Sequence, residues 1–272
     1  MSIEYVVARP CAVKDSVGGE ESFLRACTWR LMAKTAKREA RKKNLRFEEV
    51  KLTHRIVTLD GVDQVVEPLS DILDESAKFE GLTGPCADCP ACVLDEKAGC
   101  FGTLGYPVSD EAEQWLYDRI TGEVEPWAAR GWREFWKEGR ADPARIGLLR
   151  SKGDDFLEGK SAWGLAAVSG GRPFTLNANE LLAALFAAGS LKPADALMLL
   201  GLLGALDPDV DPEDEERPVI GVSESDNGEA EEKLAFDIYP EPYDDPSTCD
   251  LKAYLFALFF AAALGVELHV SL

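Results

Sequence analysis

Four of the seven cysteines in this 272-residue chain fall within fifteen residues, at Cys86, Cys89, Cys92 and Cys100. The spacing is C-x2-C-x2-C-x7-C, and the intervening residues include Pro90, Gly99 and other small side chains. Thiolates held this close repel one another unless a cation binds them, so the cluster predicts a metal or iron–sulfur centre. A Gly- and Pro-rich segment of this length has too few apolar residues for a core of its own. The stretch from about residue 81 to 105 therefore reads as a lobe organised by its ligands.

The N-terminus, MSIEYVVARP, lacks a basic region followed by an apolar stretch, and the expectation is a cytoplasmic protein. In a reducing compartment clustered thiols read as metal ligands and not as a disulfide framework. The longest apolar run, Ala253 to Val266, is bounded by Lys252 and Glu267 and is too short to span a bilayer. No membrane association is expected. Cys11, Cys27 and Cys249 stand apart in sequence and read as small buried apolar residues.

Two centres suit the cysteine spacing. Zinc held by all four thiolates is the first reading, because a two-residue gap places both sulfurs of a knuckle on one side of a tight turn. Gly99 and Gly102, on either side of Cys100, suggest left-handed backbone where the chain bends back. A [4Fe–4S] cluster is the alternative, since C-x2-C-x2-C opens a ferredoxin-type motif. Here the closing C-x3-C-P is replaced by Cys100 followed by Phe101. The spacing from Cys86 to Cys100 is similar to the structural-zinc lobe of medium-chain alcohol dehydrogenases. In that family four such cysteines hold one zinc remote from the chemistry. The resemblance covers this segment alone; neither the G-x-G-x-x-G fingerprint nor the catalytic-zinc ligands of that family are recognisable. It implies a ligand geometry and no dehydrogenase activity.

The net charge of −20 is unevenly distributed. Arg25 to Arg55 carries eleven Lys/Arg against three Asp/Glu, a local +8. Asp207 to Asp250 carries two against seventeen, a local −15. A chain so acidic overall is a poor general nucleic-acid ligand. The basic helical face at Arg30, Lys34, Lys37, Arg38, Arg41 and Lys42 is the candidate contact for an acidic partner or a nucleic acid, or for the acidic loop of the same chain.

The hydropathy pattern predicts an α+β fold. A strand over Ile3–Arg9, a helix over residues 20–43, a hairpin turning at Asp60-Gly61 and a short helix capped by Ser70-Asp71 form a basic β-α-β-β-α unit over residues 1–80, with a small antiparallel sheet. After the cysteine lobe at 81–105, residues 106–272 read as mainly helical. Ser109, Asn177 with Glu180, and Ser247 are the predicted caps, Pro193 is placed at a helix start, and a strand ends the chain. Residues 207–232 read as an exposed acidic loop. The terminal strand is expected to return to the N-terminal sheet.

Other constellations carry less. His54 and His269 read as polar strand residues. Asp207, Asp209 and Asp211 open like an EF-hand, but Pro212 and Pro218 stand where that loop needs Gly and Glu. Trp127, Trp132 and Trp136 read as core, and Ser169-Gly170-Gly171 lacks the context of a phosphate loop. The functional expectation is a non-catalytic accessory or interaction subunit stapled by structural zinc, with a protein partner. Its alternatives are an iron–sulfur electron-transfer or redox-sensing protein and a nucleic-acid-binding module.

Overall fold

Strand β1 (Ser2–Val7) alternates half-buried and buried positions before ending in three consecutive buried residues, as a strand covered on both faces at one end does. The computed structural model describes residues 2–46, 50–57, 62–81, 84–86, 88–92, 94, 98–122, 124–153, 155–169, 171–186, 189–209, 218–223 and 231–271. Nearly half of the described residues are helical and about a quarter are strand, an α+β fold.

The N-terminal half runs from β1 through α1 (Ala12–Val17), α2 (Glu20–Lys42), β2 (Lys51–Val57), β3 (Val62–Pro68) and α3 (Leu69–Glu80) to β4 (Phe101–Gly105). Helices α4 (Asp110–Ile120), α5 (Pro126–Lys137) and α6 (Pro143–Ser151) follow. Then come β5 (Gly164–Ser169), β6 (Arg172–Asn177), α7 (Ala178–Leu185), β7 (Gly189–Leu191) and α8 (Pro193–Leu202). The chain closes with β8 (Leu206–Asp207), β9 (Val219–Ser223), β10 (Glu231–Phe236), α9 (Pro246–Ala263) and β11 (Leu268–Ser271).

The central sheet has the order β4-β1-β11-β7, antiparallel throughout. The last strand therefore pairs with the first, in the register Tyr5↔Val270. Helix α9 lies on β1 and β4 and also packs against α4 and α8, so it is buried nearly all round. Tyr5 meets Tyr254 of α9 edge-on at 5.0 Å between ring centroids, and the Tyr254 hydroxyl donates to the Leu185 carbonyl. Gly102 serves this packing. A Cβ there would fall 2.3 Å from the Tyr5 ring, so the expected left-handed turn is replaced by a close approach of ring to backbone.

Sequence-predicted caps hold at Ser109, which accepts from the Ala112 amide, and at Asn177–Glu180, a reciprocal capping box; Pro193 opens α8 as expected. Two caps differ. Asp245, not Ser247, caps α9 by accepting from the Thr248 and Ser247 amides, and the Ser247 hydroxyl accepts from the Ser109 amide. Helix α3 begins at Leu69 after Pro68, which places Ser70 and Asp71 in its first turn.

Three stretches depart from expectation. Strands β5 and β6 pair as a hairpin where a helix is predicted, because Leu165 and Ala167 alternate with more exposed neighbours and the pairing runs to Ser169 against Arg172. Val219–Ser223 forms β9 inside the stretch predicted as acidic loop; its β-branched residues pair with β10 and Ile220 is buried. In the β2–β3 hairpin Val57 pairs with Val62, with four residues between them, and the predicted Asp60-Gly61 turn lies outside the described residues. Most of the acidic run between β8 and β10 also lies outside them.

Helix α2 begins against β1 and α1 and continues onto α3. Beyond the main core it shares a small apolar cluster, Ala33 and Ala36 with Leu69 and Ile72. Trp132 is buried and meets Trp136 edge-on at 5.3 Å, as a core reading predicts, whereas Trp127, also expected in the core, lies over Gly201 of α8 with 42% of its surface exposed. Among the described residues no helix is long and apolar enough to cross a membrane.

Candidate metal centre

The cysteine segment is built from successive tight turns. One turn of 3-10 helix, Gly84–Cys86, delivers Cys86. The Cys89 amide then donates to the Cys86 carbonyl at 3.2 Å, and the Cys92 amide donates to the Cys89 carbonyl at 2.9 Å. Each two-residue gap is thus closed as a β-turn, the local geometry that brings paired sulfurs together. A further backbone bond from Leu94 to the Gly99 carbonyl closes the longer gap. Cys100 is anchored to the central sheet, its carbonyl accepting from the Val7 amide at 2.9 Å.

Anchoring at Val7 brings in the chain that follows β1. Arg9, Cys11 and Lys14 return over the cysteine turns, with Cys11 as the N-terminal cap of α1. A cavity of about 30 Å3, room for one water-sized body, is lined by Cys86, Cys89, Cys92 and Cys100 together with Cys11 and Lys14. All four predicted ligands therefore face one small space.

Their sulfurs interact. The Cys100 thiol donates to the Cys92 sulfur, which also accepts from the Gly99 and Cys100 amides and from the Cys86 thiol. These hydrogen bonds hold Cys92 well below the ordinary thiol range, although burial opposes them. Burial and the neighbouring Cys92 charge push Cys86 up to about 11. Cys100 rises because its proton is committed to Cys92 and because it is buried.

The Lys14 ammonium is buried, donates to the Val7 and Arg9 carbonyls, and lies 5.7 Å from the Phe23 ring centroid. Among the described residues no carboxylate pairs with it. Its charge favours the thiolate forms of Cys100 and Cys27.

All four are free thiols, and no group of three or more His, Cys, Asp or Glu among the described residues is set as a coordination sphere. The donor set nevertheless fits a thiophilic ion: soft sulfurs, converging backbone amides, a cation nearby and a space of atomic size.

Two site predictions change. Cys11, read from sequence as an isolated core residue, lines the cavity. Its signal was indirect: it lies four residues beyond the end of β1, whose pairing with β4 carries Cys100 beside it. Cys27 is buried as expected, and Cys249 is half-buried and hydrogen-bonds to the Asp244 carbonyl at 4.0 Å.

Arg30 is the second. Predicted as a surface contact, it is 5% exposed, because it shares the inward helical face of Cys27 and Ala33 at three-residue steps. Its Nε has no hydrogen-bond partner among the described residues. Lys34, Lys37, Arg38, Arg41 and Lys42 are exposed as expected, and Lys42 pairs with Glu39 at 3.1 Å. The side chain of His54 lies outside the description, while His269 is half-buried on β11 with Nδ1 3.5 Å from the Ser190 hydroxyl. Comparison with family models, with curated proteins and with solved structures finds no match for this chain.

Proposed function

We propose that the chain is a non-catalytic accessory or interaction protein whose cysteine lobe is stapled by one structural zinc bound to Cys86, Cys89, Cys92 and Cys100. The observation that carries this reading is that all four cysteines, three from successive turns and one anchored to the sheet, line a single small cavity. Four thiolates close a tetrahedral zinc and leave no position for a substrate, the property that separates structural from catalytic zinc. Free thiols in this density suit a reducing compartment such as the cytoplasm.

The anchoring of Cys100 to β1 gives the staple its purpose. It fixes the cysteine lobe to the sheet that joins both ends of the chain. The exposed basic face of α2, at Lys34, Lys37, Arg38, Arg41 and Lys42, is the surface proposed to meet an acidic protein partner. A [4Fe–4S] cluster on the same thiols is the second reading, favoured by the amide hydrogen bonds to Cys92, which also stabilise cluster thiolates. Metal analysis of the untagged protein separates the two: zinc without colour supports the first, and stoichiometric iron with brown colour supports the second.

A further inference from the structure

Strands β5 and β6 make a sheet of two, so each has one edge with no neighbouring strand. The register decides which backbone groups face those edges. Pro173 has no N–H, so the pair Val168↔Pro173 cannot exchange two hydrogen bonds. The Ala178 amide donates to the Trp163 carbonyl at 2.9 Å, and the Asn177 amide turns away to the Glu180 carboxylate at 3.1 Å. The hydrogen-bonded pairs are therefore Leu165↔Leu176 and Ala167↔Phe174. The amides and carbonyls of Gly164, Ala166 and Val168 point away from β6, and among the described residues none of them has a hydrogen-bond partner there.

The two edges differ. On β6, Pro173 offers no donor and Asn177 is committed to the capping box of α7. On β5 the sequence GLAAVS carries neither proline nor charge. Gly164, Ala166 and Val168 are exposed, Val168 by 68%, and a Cβ on Gly164 would meet nothing within 4 Å. Proteins guard such an edge with a charge, a proline or a bulge, and an unguarded edge is a template for a further strand.

Charge selects the occupant. Residues 159–177 contain Lys160 and Arg172 and no Asp or Glu, in a chain with 49 acidic residues and a net charge of −20. Both cations are exposed, one towards each end of β5 in the hairpin. A second copy paired antiparallel on β5 would bring the Lys160 end of one hairpin to the Arg172 end of the other, cation to cation. A negatively charged strand meets complementary charge at both ends.

We propose that the free edge of β5 takes up an extended, acidic segment of a partner protein as a third strand. Main-chain bonds at Gly164, Ala166 and Val168 hold the segment, and Lys160 and Arg172 select its charge. The inference rests on the reading of the chain as an interaction protein with an acidic partner; it adds a surface distinct from the basic face of α2 and does not depend on the metal.

The probe is a fluorescein-labelled peptide in which glutamate and valine alternate, titrated against the full-length protein by fluorescence anisotropy. The wild type is expected to bind it saturably and to bind the lysine-for-glutamate counterpart at least about tenfold more weakly. Ala166→Pro removes one outward donor and leaves the bonds to β6 in place, as Pro173 already does on the other strand. It is expected to weaken binding by about tenfold at an unchanged melting transition. Amide hydrogen exchange of the wild type needs no variant to fold: the Gly164, Ala166 and Val168 amides are expected to slow when the peptide is added. Unchanged exchange at all three, equal affinity for the two peptides, or full binding by a folded Ala166→Pro overturns the inference. A dimer in sedimentation velocity that Ala166→Pro abolishes assigns the edge to a second copy and also overturns it. Binding lost only when Lys37, Arg38, Arg41 and Lys42 are replaced by Ala moves the acidic ligand to α2, which overturns this inference and leaves the proposed function standing. A wild type that binds neither the peptide nor an immobilised polyanion overturns both.

Discussion

Replacing Gly102 by Ala puts a methyl group where the Tyr5 ring already lies. The new Cβ would stand 2.3 Å from both Cζ and Oη of Tyr5 and 2.5 Å from Cε2. Ordinary carbon contacts begin at about 3.5 Å, so the ring must retreat by about 1 Å. It has nowhere to go: Tyr5 is 1% exposed and its other side meets the fully buried Tyr254. Overpacking of this kind costs about 1–3 kcal/mol, and a ring wedged between backbone and a second ring belongs at the upper end. A loss of about 3 kcal/mol is roughly a hundredfold in the folding equilibrium. The assay is urea unfolding of the full-length protein. A double-mutant cycle with Tyr5→Leu should show the two substitutions coupled by about 1–2 kcal/mol in the favourable direction, since the smaller side chain makes room. Stability of Gly102→Ala within about 0.5 kcal/mol of wild type, or simple additivity with Tyr5→Leu, would refute the packing argument.

Other consequences follow from the same geometry. Arg150 donates to both oxygens of Glu113 at 2.8 Å in a pair 5% exposed on each side, so Glu113→Ala should cost about 3–5 kcal/mol by leaving a buried guanidinium unpaired, as measured by urea unfolding. Asp245→Ala should remove the α9 cap at a cost of about 1 kcal/mol in the same assay. Burial raises the Asp245 carboxyl, but bonds from Thr248, Ser109 and the helix amides outweigh it and hold the group below the ordinary aspartate range. Its stabilisation is therefore present above about pH 4 and lost as pH falls further, so the wild type and Asp245→Ala should converge in stability there. Replacing Lys37, Arg38, Arg41 and Lys42 together by Ala should abolish retention on an immobilised polyanion at low salt while leaving the melting transition unchanged. Equal retention would remove the basic face as a docking surface. Lys14→Met should destabilise the zinc-loaded protein more than the chelated one, and equal effects would refute a charge-compensating role.

The parts of this fold that were legible in the sequence are those written in short-range chemistry. Ser109, Asn177–Glu180 and Pro193 announce helix starts within four residues, and the four-residue step from Phe23 to Cys27 announces the buried face of α2. The four clustered cysteines are adjacent because the sequence itself makes them so. Cys11 and Lys14 were not legible as site residues. They reach the cavity only through the β1–β4 pairing, a contact across about a hundred residues that no local pattern encodes. Arg30 misleads for the opposite reason: its charge suggests solvent, while its spacing from Cys27 places it inward, and packing prevails. The β5–β6 hairpin was hidden by small residues, since Ala166 and Ala167 suit helix and strand alike and only Gly170-Gly171 marks the turn.

The central claim is that one zinc, bound by the cysteines of residues 86–100, fastens the cysteine lobe to the sheet. Elemental analysis of the untagged full-length protein tests it most directly. The account predicts one zinc per chain and a colourless protein. Stoichiometric iron, or a folded chain that carries no metal after purification without chelator, would contradict it.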